Sequence, residues 1–104
     1  MHNDERKAIA CKLTSSELQQ RKATVIASLK RQLIAKEELP KGYRYQFKGT
    51  DALLDELLDF VKTERLCCDF FQFTLEITGD ASDAWLSITG PEGTKTFIET
   101  ELAF

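Results

Sequence analysis

The stretch YRYQFK, residues 43–48, decides the expected fold, because its aromatic side chains fall on every second residue. Such alternation places the aromatic residues on one face of a β-strand and the polar residues on the other. A strand with one polar face predicts a sheet that helices cover on a single side. The stretch therefore favours a two-layer α+β domain, an α/β sandwich, over a three-layer one.

The segments on either side of this strand have the spacing of amphipathic helices. After it, residues 49–51 supply a turn and a helix cap, and the leucines that follow recur at helical intervals. Before it, residues 14–17 match a capping box and predict the start of an earlier helix. We expect that earlier helix to end at residues 38–42, where Pro40 and Gly42 interrupt the pattern.

Three further segments complete the predicted order β-α-β-α-β-β-α. Residues 9–13 alternate and predict a first strand, and residues 71–77 and 84–89 predict a hairpin. Residues 94–102 predict a short final helix. Right-handed crossovers through the two long helices would make the first three strands parallel, and the hairpin would add the fourth antiparallel. The sequence therefore predicts a mixed four-stranded sheet.

The composition indicates one cytoplasmic domain over residues 1–104, with residues 1–7 frayed. A chain of 104 residues that is 42% hydrophobic suffices for a single core. Its 14 Lys and Arg against 17 Asp and Glu lack the basic excess of a protein that neutralises phosphates, so we expect no nucleic-acid partner. No apolar run approaches the ~18 residues of a membrane span, and the start of the chain lacks the hydrophobic segment of a signal peptide. A membrane partner is therefore not expected either.

The three cysteines are expected to be reduced. Cys67 and Cys68 are neighbours in the chain, and a disulfide between neighbours closes a strained ring. Reduced thiols agree with a cytoplasmic location. The only histidine is His2, so the sequence supports no Ser-His-Asp or Cys-His arrangement. No catalytic residue and no organic cofactor is predicted.

The segment ERLCCDFFQF, residues 64–73, is the one chemically distinctive part of the chain. Two thiols lie there where a helix is expected to end and a strand to begin, and an irregular junction can turn both sulfurs toward one ligand. Thiolates select soft ions such as Hg(II), As(III), Cu(I) and Zn(II) over hard cations. We therefore expect Cys67 and Cys68 to bind a soft metal or metalloid ion, with Cys11 as a possible third ligand. Three charged neighbours are expected to support the site: Glu64, Arg65 and Asp69. Of these, Arg65 is expected to stabilise the thiolates.

Other interpretations of the same residues stay open. Buried cysteine is common, so the pair can simply fill the core, and the protein would then be an interaction or oligomerisation module. Alternation places Trp85 opposite Leu86 and Ile88, on a polar sheet face through which copies of the chain could form a homo-oligomer or meet another protein. The pair could also act as a thiol redox sensor, or one cysteine could be an enzyme's nucleophile.

The second half of the chain resembles a group of small, largely uncharacterised bacterial proteins with the pattern Glu-Arg-x-Cys-Cys-x-Phe-Phe-x-Phe, followed by Leu-x-Ile-x-Gly-Pro-Glu-Gly. The matching positions are Glu64, Arg65, Cys67, Cys68, Phe70, Phe71 and Phe73, then Leu86, Ile88, Gly90, Pro91, Glu92 and Gly93. Such proteins look like companions of heavy-metal resistance systems, so the resemblance implies a mercury or arsenic connection. It supplies no catalytic residue. Where the pattern often has proline after the paired cysteines, this chain has Asp69, which adds a carboxylate beside the thiols.

Overall fold

The fold is a four-stranded sheet whose buried face is covered by helices, as the two-layer α+β prediction requires. The computed structural model describes residues 16–102. The elements in chain order are α1 (Ser16–Gln32), β1 (Ala35–Leu39), β2 (Gly42–Phe47), α2 (Asp51–Cys67), β3 (Gln72–Ile77), β4 (Ala84–Thr89) and α3 (Thr94–Phe97), which continues as a π-helical turn (Ile98–Leu102). Within this described range, no helix is both long enough and apolar enough to cross a membrane.

The sheet has the order β1-β2-β4-β3, and each neighbouring pair is antiparallel. The predicted hairpin of β3 and β4 is confirmed. Since β2 and β3 both run antiparallel to β4, they point the same way, as the crossover through α2 predicts. They are not neighbours, however, because β4 lies between them. The prediction of a mixed sheet is therefore wrong. Among residues 16–102, all strand pairing is antiparallel.

The segment predicted as the end of the first helix is instead a strand. Helix α1 ends at Gln32, and the amide of Ile34 already donates to the carbonyl of Gln46 at 2.8 Å. Residues 35–39 then pair with β2 in a hairpin whose last pair is Leu39 and Gly42. Pro40 therefore does not end the helix as predicted; it lies in the turn of this hairpin, after β1. The predicted strand at residues 9–13 and the start of the capping box lie outside the described residues.

Alternation along the central strands separates a buried face from a polar one. Tyr45 faces Leu86 and Phe47 faces Ala84 across the β2–β4 pair, and all four side chains are buried. Helices α1 and α2 complete this core with Leu29, Leu53, Leu57 and Phe60. The opposite face carries side chains that are only partly buried, Arg44, Gln46, Trp85 and Ser87. The predicted orientation of Trp85 is confirmed.

Helices α1 and α2 pack antiparallel, which places the start of α1 beside the end of α2. Arg21 forms an ion pair with Asp59 at 3.2 Å, whereas Gln32, farther along α1, bonds to Glu56, nearer the start of α2. Helix α2 begins at a Thr50 cap, whose hydroxyl accepts the Leu53 amide at 3.2 Å. Residues early in α1 can therefore contact the cysteines at the end of α2.

Candidate functional site

The end of α2 turns both cysteine sulfurs to the same side. Cys67 is the last helical residue, and Cys68 leaves the helix with φ −123° and ψ 70°. The Cys68 amide still donates to the carbonyl of Glu64 at 2.6 Å, and its own carbonyl accepts the Phe71 amide at 3.2 Å. This tight turn leaves the two Sγ atoms 3.2 Å apart. They are two reduced thiols at hydrogen-bonding distance, not a disulfide.

A carboxylate from the preceding helical turn joins the two sulfurs. Glu64 precedes Cys67 by three residues and Cys68 by four, the spacing that puts side chains on one helix face. Its Oε1 lies 3.9 Å from Cys67 Sγ, and the ligand atoms of the three residues lie within 4.8 Å of one another. All three residues are 0% exposed. The predicted residues Glu64, Cys67 and Cys68 thus form one buried cluster, called here the dithiol cluster.

The cation at this cluster is Lys22, a residue that sequence reasoning missed. Its Nζ lies 3.5 Å from Cys67 Sγ and 3.6 Å from Glu64 Oε2, and its side chain is only 12% exposed. Arg65, expected to stabilise the thiolates, is exposed. Successive helical residues point about 100° apart, so burial of Glu64 turns Arg65 away. The only sequence signal for Lys22 was indirect, namely that a buried carboxylate requires a cation from elsewhere.

Burial dominates the electrostatics of the cluster. It raises the pKa of the Cys68 thiol, and the hydrogen bond with Cys67 and the charge of Glu64 act in the same direction. Burial also raises the pKa of Glu64, although the Lys22 ammonium opposes this shift. The Cys68 thiol therefore stays protonated at neutral pH until a ligand replaces the proton.

One carboxylate oxygen of the cluster lacks a hydrogen bond. Glu64 Oε2 is buried and accepts none from the described residues, since Lys22 at 3.6 Å is an ion-pair partner beyond normal hydrogen-bond length. Buried polar atoms are rarely left in this state, and each such atom requires an explanation.

A surface groove of about 670 Å³ has Cys68 among its lining residues, although Cys68 itself has no exposed surface. Its wall includes Arg65, Asp69 and Phe71, so Asp69 lies beside the site as predicted but outside the dithiol cluster. Leu66, at the rim, is 64% exposed. Entry from solvent would therefore meet Cys68 before Cys67.

The site combines two soft sulfur ligands, one buried carboxylate and one ammonium. Cys11, the predicted third sulfur, lies outside the described residues. No protein-family model matches this chain, and no curated protein or solved structure matches it either.

Proposed function

We propose that this protein binds a soft metal or metalloid ion through Cys67 and Cys68. The observation that supports this function is the 3.2 Å distance between their Sγ atoms. One ion with metal–sulfur bonds of about 2.3 Å can bridge sulfurs up to about 4.6 Å apart. Sulfur ligands favour soft ions over Mg²⁺ or Ca²⁺. The mercury or arsenic connection implied by the resemblance agrees with this class of ion.

Burial of the pair would make the bound ion hard to displace. Both cysteines are 0% exposed, so small thiols in solution cannot reach the ion without an opening of the structure. The sulfurs are also fixed at a bridging distance before the ion arrives, which reduces the entropic cost of binding. The protein should therefore compete with small monothiols that bind the same ion weakly.

The role of Cys11 as a third ligand stays a prediction, and the length of the chain permits it. Four residues separate Cys11 from Ser16, where α1 begins, and the five extended Cα–Cα steps between the two residues span up to about 17 Å. Lys22, which touches Cys67, lies six helical residues beyond Ser16, a rise of about 9 Å. The chain between them is thus long enough for Cys11 to reach the cluster.

Competition binding tests the proposed function. Hg(II) and As(III) would be titrated into the wild type and into a Cys67→Ser/Cys68→Ser variant, with an excess of a small monothiol present. We expect one ion per wild-type chain and at least about 100-fold weaker binding by the double variant, because the chelating pair is lost. Cys11→Ser, measured separately, shows whether the predicted third ligand contributes to the affinity. Equal affinities of wild type and double variant, both folded by circular dichroism, would reject the proposal.

A second candidate function is homo-oligomerisation through the polar sheet face. Arg44 lies 3.8 Å over the Trp85 ring and forms ion pairs with Glu37 and Glu76 on either side. A patch with a central cation, an aromatic ring and flanking carboxylates can be complementary to a second copy of itself. Sedimentation equilibrium should then show a dimer that Arg44→Ala and Trp85→Ala abolish. A monomer at all concentrations would exclude this candidate.

A further inference from the structure

The distance between the two sulfurs also discriminates among soft ions. We infer that the dithiol cluster binds a trivalent pyramidal metalloid of the arsenite class, which arrives as its neutral trihydroxide. This inference rests on the proposed function. The bound species keeps one hydroxyl group as its third ligand, in place of the Cys11 thiolate, and Glu64 accepts the hydrogen bond of that hydroxyl. The ion class follows from the sulfur geometry, and the role of Glu64 follows from its burial and bonding.

The sulfur geometry matches a pyramidal centre. A distance of 3.2 Å between the sulfurs, with bonds of about 2.3 Å to a shared atom, gives an angle at that atom of about 90°. A trivalent centre with a lone pair holds its ligands at angles close to a right angle. A linear two-coordinate ion such as Hg(II) needs the sulfurs about 4.6 Å apart. The buried cysteines would have to separate within a close-packed interior to reach that distance.

Glu64 supplies an acceptor where the third ligand would be. Its Oε1 lies 3.9 Å from Cys67 Sγ, and its buried Oε2 accepts no hydrogen bond from residues 16–102. A hydroxyl on the metalloid would donate to this carboxylate and satisfy it. Lys22, 3.6 Å from Oε2, holds the carboxylate in place and acts as a positioning residue.

The binding step leaves the charge of the site unchanged. Two bonds from the metalloid to hydroxide break, and two bonds to sulfur form. The two hydroxides leave as water with the thiol protons, and no oxidant or reductant takes part. The product is uncharged, and the ion pair of Lys22 and Glu64 is retained. A divalent cation, in contrast, would have to enter a site closed to water while charged, which carries a large desolvation cost.

X-ray absorption of the arsenite complex tests the inference on the full chain. We expect two sulfurs and one oxygen around arsenic in the wild type and in Cys11→Ser. Glu64→Gln should keep this coordination but bind arsenite about 10- to 100-fold more weakly, as when outer-shell partners of bound ions are removed. Glu56→Gln, on the same helix but remote from the sulfurs, is the matched control and should leave the affinity unchanged.

The outcomes separate this inference from the proposed function. If Hg(II) binds at Cys67 and Cys68 and arsenite does not, the function stands and the inference is wrong. If neither ion binds, both are wrong. Three sulfurs around arsenic would overturn the assigned hydroxyl and the role of Glu64. If Glu64→Gln does not fold, the coordination of arsenic in the wild type decides alone. Two sulfurs and one oxygen then support the assigned hydroxyl, and three sulfurs contradict it.

Discussion

Lys22 on α1 lies 3.5 Å from the sulfur of Cys67 at the end of α2, 45 positions farther along the chain. The same ammonium lies 3.6 Å from Oε2 of Glu64, so this one side chain of α1 contacts both a sulfur and a carboxylate of α2. Because Lys22 is 12% exposed and Glu64 is fully buried, this contact is far less screened than a surface ion pair. The stability of the domain and the chemistry of the site therefore depend on the same residue.

Replacing Lys22 should destabilise the fold. Lys22→Met removes the cation and leaves the buried carboxylate of Glu64 without its ion-pair partner. Breaking a buried pair in this way costs about 3 kcal/mol in the free energy of unfolding. Urea denaturation of the variant and the wild type measures the difference.

Two further variants make this result specific. Arg21→Met removes the neighbouring pair with Asp59, whose side chains are 56% and 48% exposed, and should cost less than about 1 kcal/mol. Lys22→Met/Glu64→Leu should recover most of the loss, since no charge is then left in the core. Equal destabilisation by Lys22→Met and Arg21→Met would show that the buried ion pair contributes no more to the free energy of unfolding than the exposed one.

The stability of the domain should fall with rising pH because of Glu64. Burial raises the pKa of this carboxyl from its ordinary 4.5, so the folded chain holds the proton at pH values where the unfolded chain has lost it. The resulting stabilisation is fully present below pH 4.5 and is lost as pH rises through the higher folded-state pKa. Glu64→Gln should therefore gain stability relative to wild type across that window. Parallel pH profiles of the two unfolding free energies would contradict this, and Glu101→Gln, an exposed site, controls for the loss of one charge.

The strand pattern at residues 43–47 was sufficient to predict the layering, because period-two burial follows directly from strand geometry. It did not reveal the hairpin before it. Leu33 and Ile34 continue the helical spacing of α1, and β1 is an edge strand of mostly polar residues. Such a strand is held by hydrogen bonds to β2, not by burial, and therefore leaves little hydrophobic signal.

Gly42, at the start of β2, should be intolerant of a side chain. An added Cβ would lie 1.8 Å from the carbonyl oxygen of Ile88 on β4, and backbone cannot move aside as a flexible side chain can. We expect Gly42→Ala to lower the free energy of unfolding by at least about 3 kcal/mol, measured by urea denaturation. Gly79→Ala is the matched control, because nothing lies within 4 Å of its added Cβ. Similar stabilities of the two variants would contradict the close approach of β2 and β4.

The candidate site was predictable only where it is local in sequence. The adjacent cysteines at a helix end, with Glu64 one turn earlier, follow from spacing alone. Lys22 does not, because its contact depends on how α1 packs against α2. Before that packing is known, Lys22 is one of several basic residues on the polar side of α1, and Arg65 is the nearest cation in the sequence.

Slow alkylation should distinguish the buried thiols from exposed ones. In a Cys11→Ser background, we expect Cys67 and Cys68 to react with iodoacetamide at least about tenfold more slowly in native buffer than in urea, because alkylation requires an accessible thiolate. Both residues are 0% exposed, and burial raises the pKa of Cys68. Mass spectrometry of timed samples measures the rates. Raising the pH to the ordinary thiol pKa of ~8.5 should accelerate alkylation of the urea-unfolded chain but not alkylation of the native chain.

An exposed thiol in the same helical turn is the control for this measurement. Leu66 is 64% exposed, so Leu66→Cys adds a thiol beside the pair without entering the core. That added thiol should react rapidly in native buffer while Cys67 and Cys68 stay unmodified. Saturation with arsenite should slow the pair further, because the sulfurs are then bonded, and should leave the thiol at position 66 reactive. Rapid native alkylation of Cys67 and Cys68 would mean that the dithiol cluster is open to solvent, and the closed site on which slow ion release depends would be ruled out.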